Sequence, residues 1–100
     1  MLIDCPECHL TAPLRAPELV IGRAPESDLV IPAPIISHTA AHVRRETDGH
    51  YTLYQISNRN PMRFGEANIE QHTFADDDRV MIGDKSVGSI VILRYTTAVL

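Results

Sequence analysis

One hundred residues, 44% of them hydrophobic, are enough to fill one compact core and too few for two. A net charge of -4 argues against a nucleic-acid partner held by a general basic field, although it leaves room for a local cationic patch. No run approaches the roughly 18 apolar residues of a membrane span, and the opening Met1-Leu2-Ile3-Asp4-Cys5 lacks the basic and long apolar parts of a signal peptide, so the expected setting is the cytoplasm, with no membrane partner.

The chain opens with Cys5 and Cys8 in the run Cys-Pro-Glu-Cys-His. Haem attachment to such a run normally follows export, and no export signal is present. A structural zinc ion takes four ligands, while the other candidates are His9 and the distant pair His38 and His42. A redox pair would be expected at a helix start beside a βαβ pattern, which is missing. The expectation is two reduced thiols in a first strand and turn, with residues 1–17 as an N-terminal segment and no metal or cofactor assigned. An exposed edge in this segment would suit strand addition by a second copy, but the sequence does not fix the oligomeric state.

Beyond it, seven prolines and five glycines punctuate the chain about as often as short strands require, which reads as all-β. Glu18 to Arg23 is a short apolar strand closed by Gly22-Arg23, and Asp28 to Pro32 is another after the turn Ala24-Pro25-Glu26. Ala40 to Glu46 and His50 to Ile56 flank Asp48-Gly49, a hairpin signal. Ser57 to Pro61 is a polar loop, Met62 to Phe64 a short strand, and Glu70 to Phe74 a segment that pairs locally before the acidic turn Ala75-Asp76-Asp77-Asp78. Arg79 to Gly83 and Ser89 to Tyr95 are the last strands, and the unbroken Ile90-Val91-Ile92-Leu93 suggests burial on both faces. Residues 97–100 are a short tail. No window shows a clean helical stripe and there is no internal repeat, so many short strands must bury one face each against a second sheet. The expected fold is a two-sheet β-sandwich with ligand loops at one end.

Gly22-Arg23, Ser27-Asp28-Leu29-Val30-Ile31 and Ile36-Ser37 set one guanidinium and one hydroxyl near strand ends. A guanidinium is a rigid fork of donors that matches phosphate oxygens, and a hydroxyl supplies a further charge-assisted bond. The bland reading of Arg23 is a surface ion pair with Glu26 or Asp28. Asp76, Asp77 and Asp78 read as a solvated charge run, with no nucleophile and base pair nearby, so no catalysis is expected.

From Leu19 to about Tyr95 the sequence resembles the forkhead-associated (FHA) domain. The strongest stretch is Ile21 to Ile31, which is similar to the family's Gly-Arg, short spacer, Ser-Asp and apolar run. Ile36-Ser37 stands at the distance of the family's binding-loop serine, and Tyr51-Thr52-Leu53 followed by Asn58-Arg59-Asn60 falls where the family carries a strand and its Ser-x-Asn-Gly loop. Thr73-Phe74, Asp78-Arg79-Val80 and Ile82-Gly83 look like the family's closing landmarks. The resemblance implies a non-catalytic β-sandwich that reads phosphothreonine in a partner protein modified by a Ser/Thr kinase, with no cofactor, metal or nucleic acid. It implies Arg23, Ser37 and Arg59 as phosphate ligands and His38, Asn58 and Asn60 as peptide contacts.

Three positions depart from the family pattern. Ala40 stands where a loop-bracing His is usual, Pro61 replaces a glycine whose positive φ shapes the turn, and Gln55 replaces a common Asp. A second reading follows from them, a scaffold that keeps the sandwich and binds a partner independently of phosphate.

Overall fold

The computed structural model describes residues 2–5, 8–11, 17–84 and 89–96. Among the described residues eleven strands form two sheets. In chain order they are β1 (Leu2–Cys5), β2 (Cys8–Thr11), β3 (Glu18–Gly22), β4 (Leu29–Val30), β5 (Ala41–Arg45), β6 (Tyr51–Gln55), β7 (Met62–Phe64), β8 (Ala67–Ile69), β9 (Gln71–Thr73), β10 (Arg79–Asp84) and β11 (Ser89–Arg94). The six-stranded sheet runs β2-β1-β11-β10-β7-β8 and the five-stranded sheet β4-β3-β5-β6-β9. Among the described residues no helix is long and apolar enough to cross a membrane.

The period-2 pattern decides which face of each strand is buried. Leu19 and Ile21 of β3, Val43 of β5 and Leu53 of β6 meet Met62 of β7, Val80 and Ile82 of β10 and Val91 and Leu93 of β11, all buried in one core. The expectation of burial on both faces of β11 is corrected: Val91 and Leu93 are buried in the core, whereas Ile90 and Ile92, which alternate with them, point to the other face and are half-buried. The β5–β6 hairpin forms around Asp48-Gly49, with Gly49 at φ 89° and its amide donating to Glu46 O at 3.0 Å. β9 does not pair locally. It joins β6, with Leu53 opposite His72, after the unanticipated β8 has paired with β7.

At the N-terminus β1 pairs with both β11 and β2, and Cys5 stands opposite Cys8 in the register. The side chains of these cysteines, and with them the expectation of two reduced thiols, lie outside the described residues.

Two features set the ends of the sandwich. Strand β6 starts beside the acidic turn and finishes at the 56–61 loop, so these two lie at opposite ends. The acidic run is a built turn. Asp78 Oδ2 accepts from the Ala75 amide at 2.8 Å and lies 2.8 Å from His72 Nε2, and Asp77, at φ 69°, donates its amide to Tyr95 O. His72 stacks on Phe64 at 4.2 Å between ring centres, and Phe74 stacks on Tyr95 at 5.0 Å, so side chains of both sheets close over this end. Burial pushes the Asp78 carboxyl up, but the Ala75 amide and the His72 ring together outweigh it and hold it below the usual carboxylate range.

At the other end, strand β3 finishes on Gly22, and the chain returns across it. A Cβ at Gly22 would stand 2.0 Å from His38 O and 2.7 Å from its carbonyl carbon. Arg23 N donates to Ser37 O at 2.9 Å, Ala24 N to His38 O at 3.2 Å, and Ala40 N to Ile21 O at 2.8 Å, so residues 37–40 are laced to the end of β3. Ile31 and Ile36, both buried, fix the flanks of the intervening segment.

Because a depressed carboxyl contributes stability above its unfolded pKa of about 3.9 and loses it as pH falls through the lower folded value, urea midpoints should drop in acid below about pH 4. Asp78→Asn should lower stability at pH 7 by about 1–3 kcal/mol and shrink that acid-dependent loss; an unchanged acid limb would remove Asp78 from the account. Gly22→Ala forces backbone against backbone and should cost about 1–3 kcal/mol, with the largest amide shifts in an NMR spectrum at residues 36–40.

Candidate functional site

The end of the sandwich that carries Gly22 is built from three segments: residues 23–28 after β3, residues 36–40 before β5, and residues 56–61 after β6. Arg23 is the first residue past β3. Its Nε donates to Ile36 O at 2.9 Å, which fixes the plane of the guanidinium and leaves the terminal nitrogens as donors at an exposed position. The surface pairing with Glu26 or Asp28 does not form. Asp28 Oδ2 instead accepts the Val20 amide at 2.7 Å, and among the described residues no carboxylate forms a salt bridge with Arg23.

Ser37 lies beside it, half-buried and held on three sides. Its carbonyl accepts the Arg23 amide, its own amide donates to Asn60 Oδ1 at 3.0 Å, and its Oγ stands 2.9 Å from Ser57 Oγ. The 56–61 loop is a tight turn in which Asn60 N donates to Ser57 O at 3.1 Å and Arg59 N to Ser57 Oγ at 3.2 Å. Such a hydroxyl-to-amide bond two residues on is the local chemistry that makes serine a turn residue. Gln55 Nε2 adds a bond to Ser57 O at 2.9 Å, so the residue that replaces the family's common Asp secures the turn.

The departures at Ala40 and Pro61 have structural answers. Ala40 has no side chain to brace the loop, but its carbonyl accepts the amides of both Ile56 (2.9 Å) and Ser57 (3.1 Å), joining the second and third segments through backbone alone. Pro61 follows a turn already closed by the Asn60 amide, and its carbonyl accepts Gly83 N at 3.2 Å. His42 lies in β5 and packs edge-on against Tyr54 with ring centres 5.1 Å apart.

Asn60, which the resemblance implies as a peptide contact, is buried beneath the loops and bonded to their backbone. It is 1% exposed, its Oδ1 accepts from Ser37 N and its Nδ2 donates to Ile35 O at 2.8 Å. A short amide with one acceptor and two donors can bridge two stretches of backbone at once, and burial enforces that use. Asn58, Arg59 and His38 are exposed at the same end. Ser57 escaped the sequence reading; a serine placed two residues before Arg59 and three before Asn60 was the available sign of a hydroxyl-capped turn.

The backbones of Arg23 and Arg59 are therefore linked through Ser37 and Ser57, which brings two exposed arginines and two hydroxyls to one end of a chain of net charge -4. Among the described residues the two hydroxyls bond to each other and to the Arg59 amide. The arrangement suits holding an anion. Beside the third segment an open groove of about 470 Å³ is lined by Gln55, Pro61, Met62, Asn68, Ile69 and Glu70, an apolar floor with a polar rim.

Among curated proteins, none matches the chain in sequence. The fold is shared with solved structures. The Slr1951 protein from Synechocystis sp. superimposes with a TM-score of 0.81 at 17% identity, covering 98% of this chain and 96% of that one. The Mycobacterium tuberculosis Rv1747 FHA-1 structure gives 0.69 at 18% identity over 95% of this chain and 94% of the other. The N-terminal FHA domain of Saccharomyces cerevisiae Rad53p, solved in complex with a phosphothreonine peptide, gives 0.69 at 17% identity over 93% and 89%. At such identities the likeness speaks for the sandwich alone, but the family model for the FHA domain matches residues 19–83, from β3 into β10, and the chain belongs to that family.

Proposed function

We propose that this chain is a non-catalytic module that binds phosphothreonine peptides and so mediates phosphorylation-dependent association with a substrate of a Ser/Thr kinase. The observation that carries the reading is Arg23: its Nε is tied to Ile36 O, the residue is exposed, and Ser37 stands beside it. A side chain fixed before binding loses little rotamer entropy on binding, and a phosphate brings about -1.5 to -2 charges at pH 7 with three acceptor oxygens. Arg59, exposed on the neighbouring turn, supports the reading with a second cation, and His38 and Asn58 flank the site at positions open to a peptide. Membership of the FHA family and the phosphothreonine peptide bound to the Rad53p domain support it from outside the chain.

The phosphate-independent scaffold drew its support from Ala40 and Pro61. Backbone bonds from Ala40 O and the turn closed by Asn60 do the bracing that those positions were thought to have lost, which favours the phosphate reader.

Titration with a degenerate phosphothreonine peptide library should give micromolar binding, roughly -7 to -8 kcal/mol, and no measurable binding to the unphosphorylated library. Arg23→Ala should lose about 1.5–3 kcal/mol of it while its unfolding curve stays in place. Asn60→Ala, in contrast, should lower the unfolding midpoint and the affinity together, because it leaves Ser37 N and Ile35 O without partners. Retention of no phosphopeptide by wild type, or equal binding by Arg23→Ala, sinks the proposal.

A further inference from the structure

We infer that Ser57 is a positioning residue for the anion site, the middle of a one-way donor chain that runs from the Arg59 amide through Ser57 Oγ to Ser37 Oγ and on to the bound phosphate. The inference rests on the phosphopeptide reading of the site and assigns a role to a residue outside it. A serine hydroxyl has one proton and two acceptor lone pairs. Ser57 Oγ already accepts the Arg59 amide at 3.2 Å, and 2.9 Å away it meets Ser37 Oγ, so one of the two hydroxyl protons lies between the serines.

Which proton it is decides what Ser37 shows to a ligand. If Ser37 donates, its proton turns inward and it presents lone pairs to an anion, which repels. If Ser57 donates, Ser37 keeps its own proton for a phosphate oxygen. An anion at Arg23 selects the second arrangement, and the fixed Arg59 amide favours it as well, because an N–H on Ser57 Oγ polarises the hydroxyl toward donation.

The geometry of Ser57 is unusually well fixed for a loop residue. Its amide donates to Ala40 O at 3.1 Å, its carbonyl accepts from Gln55 Nε2 at 2.9 Å and from Asn60 N at 3.1 Å, and its hydroxyl bridges two partners. Ser37 is held as firmly, by Asn60 Oδ1 and by the Arg23 amide. Two half-buried hydroxyls on two different loops are therefore aligned before any ligand arrives. The phosphate is then held by the third loop as well as the first two, through a bond that never touches it.

A relay and a direct contact differ in a double-mutant cycle. Dissociation constants for one phosphothreonine peptide would be measured for wild type, Ser37→Ala, Ser57→Ala and the double variant, together with Ser57→Thr and each protein's unfolding midpoint. Ser57→Ala should weaken binding about five- to tenfold in wild type and less than about twofold when Ser37 is already Ala, since Ser57 acts only through the Ser37 hydroxyl. Ser57→Thr, which keeps the hydroxyl, should stay within about twofold of wild type. Equal weakening by Ser57→Ala in both backgrounds overturns the relay, because that is the mark of direct contact or of loop collapse, and so does unchanged binding by Ser57→Ala. Absence of any binding by wild type overturns the relay together with the reading beneath it, whereas normal binding with additive losses overturns the relay alone.

Discussion

The passage of the His38 backbone over Gly22 is the constraint on which this end of the sandwich depends. With His38 O where a Cβ of residue 22 would be, the return segment lies flat on the end of β3. That contact brings Ser37 within reach of the Arg23 amide and Ile36 O within reach of the Arg23 Nε. A bulkier residue at 22 would lift the segment and separate the guanidinium from the hydroxyl. The glycine is required here for close approach of two backbones, a use distinct from the positive φ of Gly49 in its hairpin.

Loops usually owe their mobility to backbone groups bonded to water. The loops here are held by one another. Asn60 spans Ile35 O and Ser37 N from below, Ala40 O gathers two amides of the neighbouring loop, and the Ser37–Ser57 pair joins them at the half-buried upper level. A polar group as buried as Asn60 is tolerated because both ends of its amide are bonded. This lacing holds the segment through backbone and short side chains, with only a methyl group at Ala40. The opposite end has a different solution, an acidic turn capped by the Ala75 amide and closed by rings from both sheets.

Much of this was legible in the chain itself. Alternation and turn residues marked most of the strands, since half-buried strands must alternate and their ends must turn. Gly22-Arg23 and Ile36-Ser37 were legible as residue types suited to an anion, and the fold sets Arg23 and Ser37 side by side. Less legible were β8, whose short Ala67–Ile69 run has little apolar signal, and the long-range partner of β9, which local pattern does not encode. Val91 and Leu93 against Ile90 and Ile92 make the same point: four apolar residues in a row look alike, and only the second sheet determines which pair is covered.

What the sequence by itself determined was the class of fold and the identity of the groups that can hold an anion, because both follow from local periodicity and side-chain chemistry. What only the tertiary structure decided was how those groups are used. Asn60 is a buried brace and Ser57 is bonded to Ser37 because segments distant in sequence converge at one end of the sandwich, and a hydrogen bond depends on positions in space that no single stretch of chain contains.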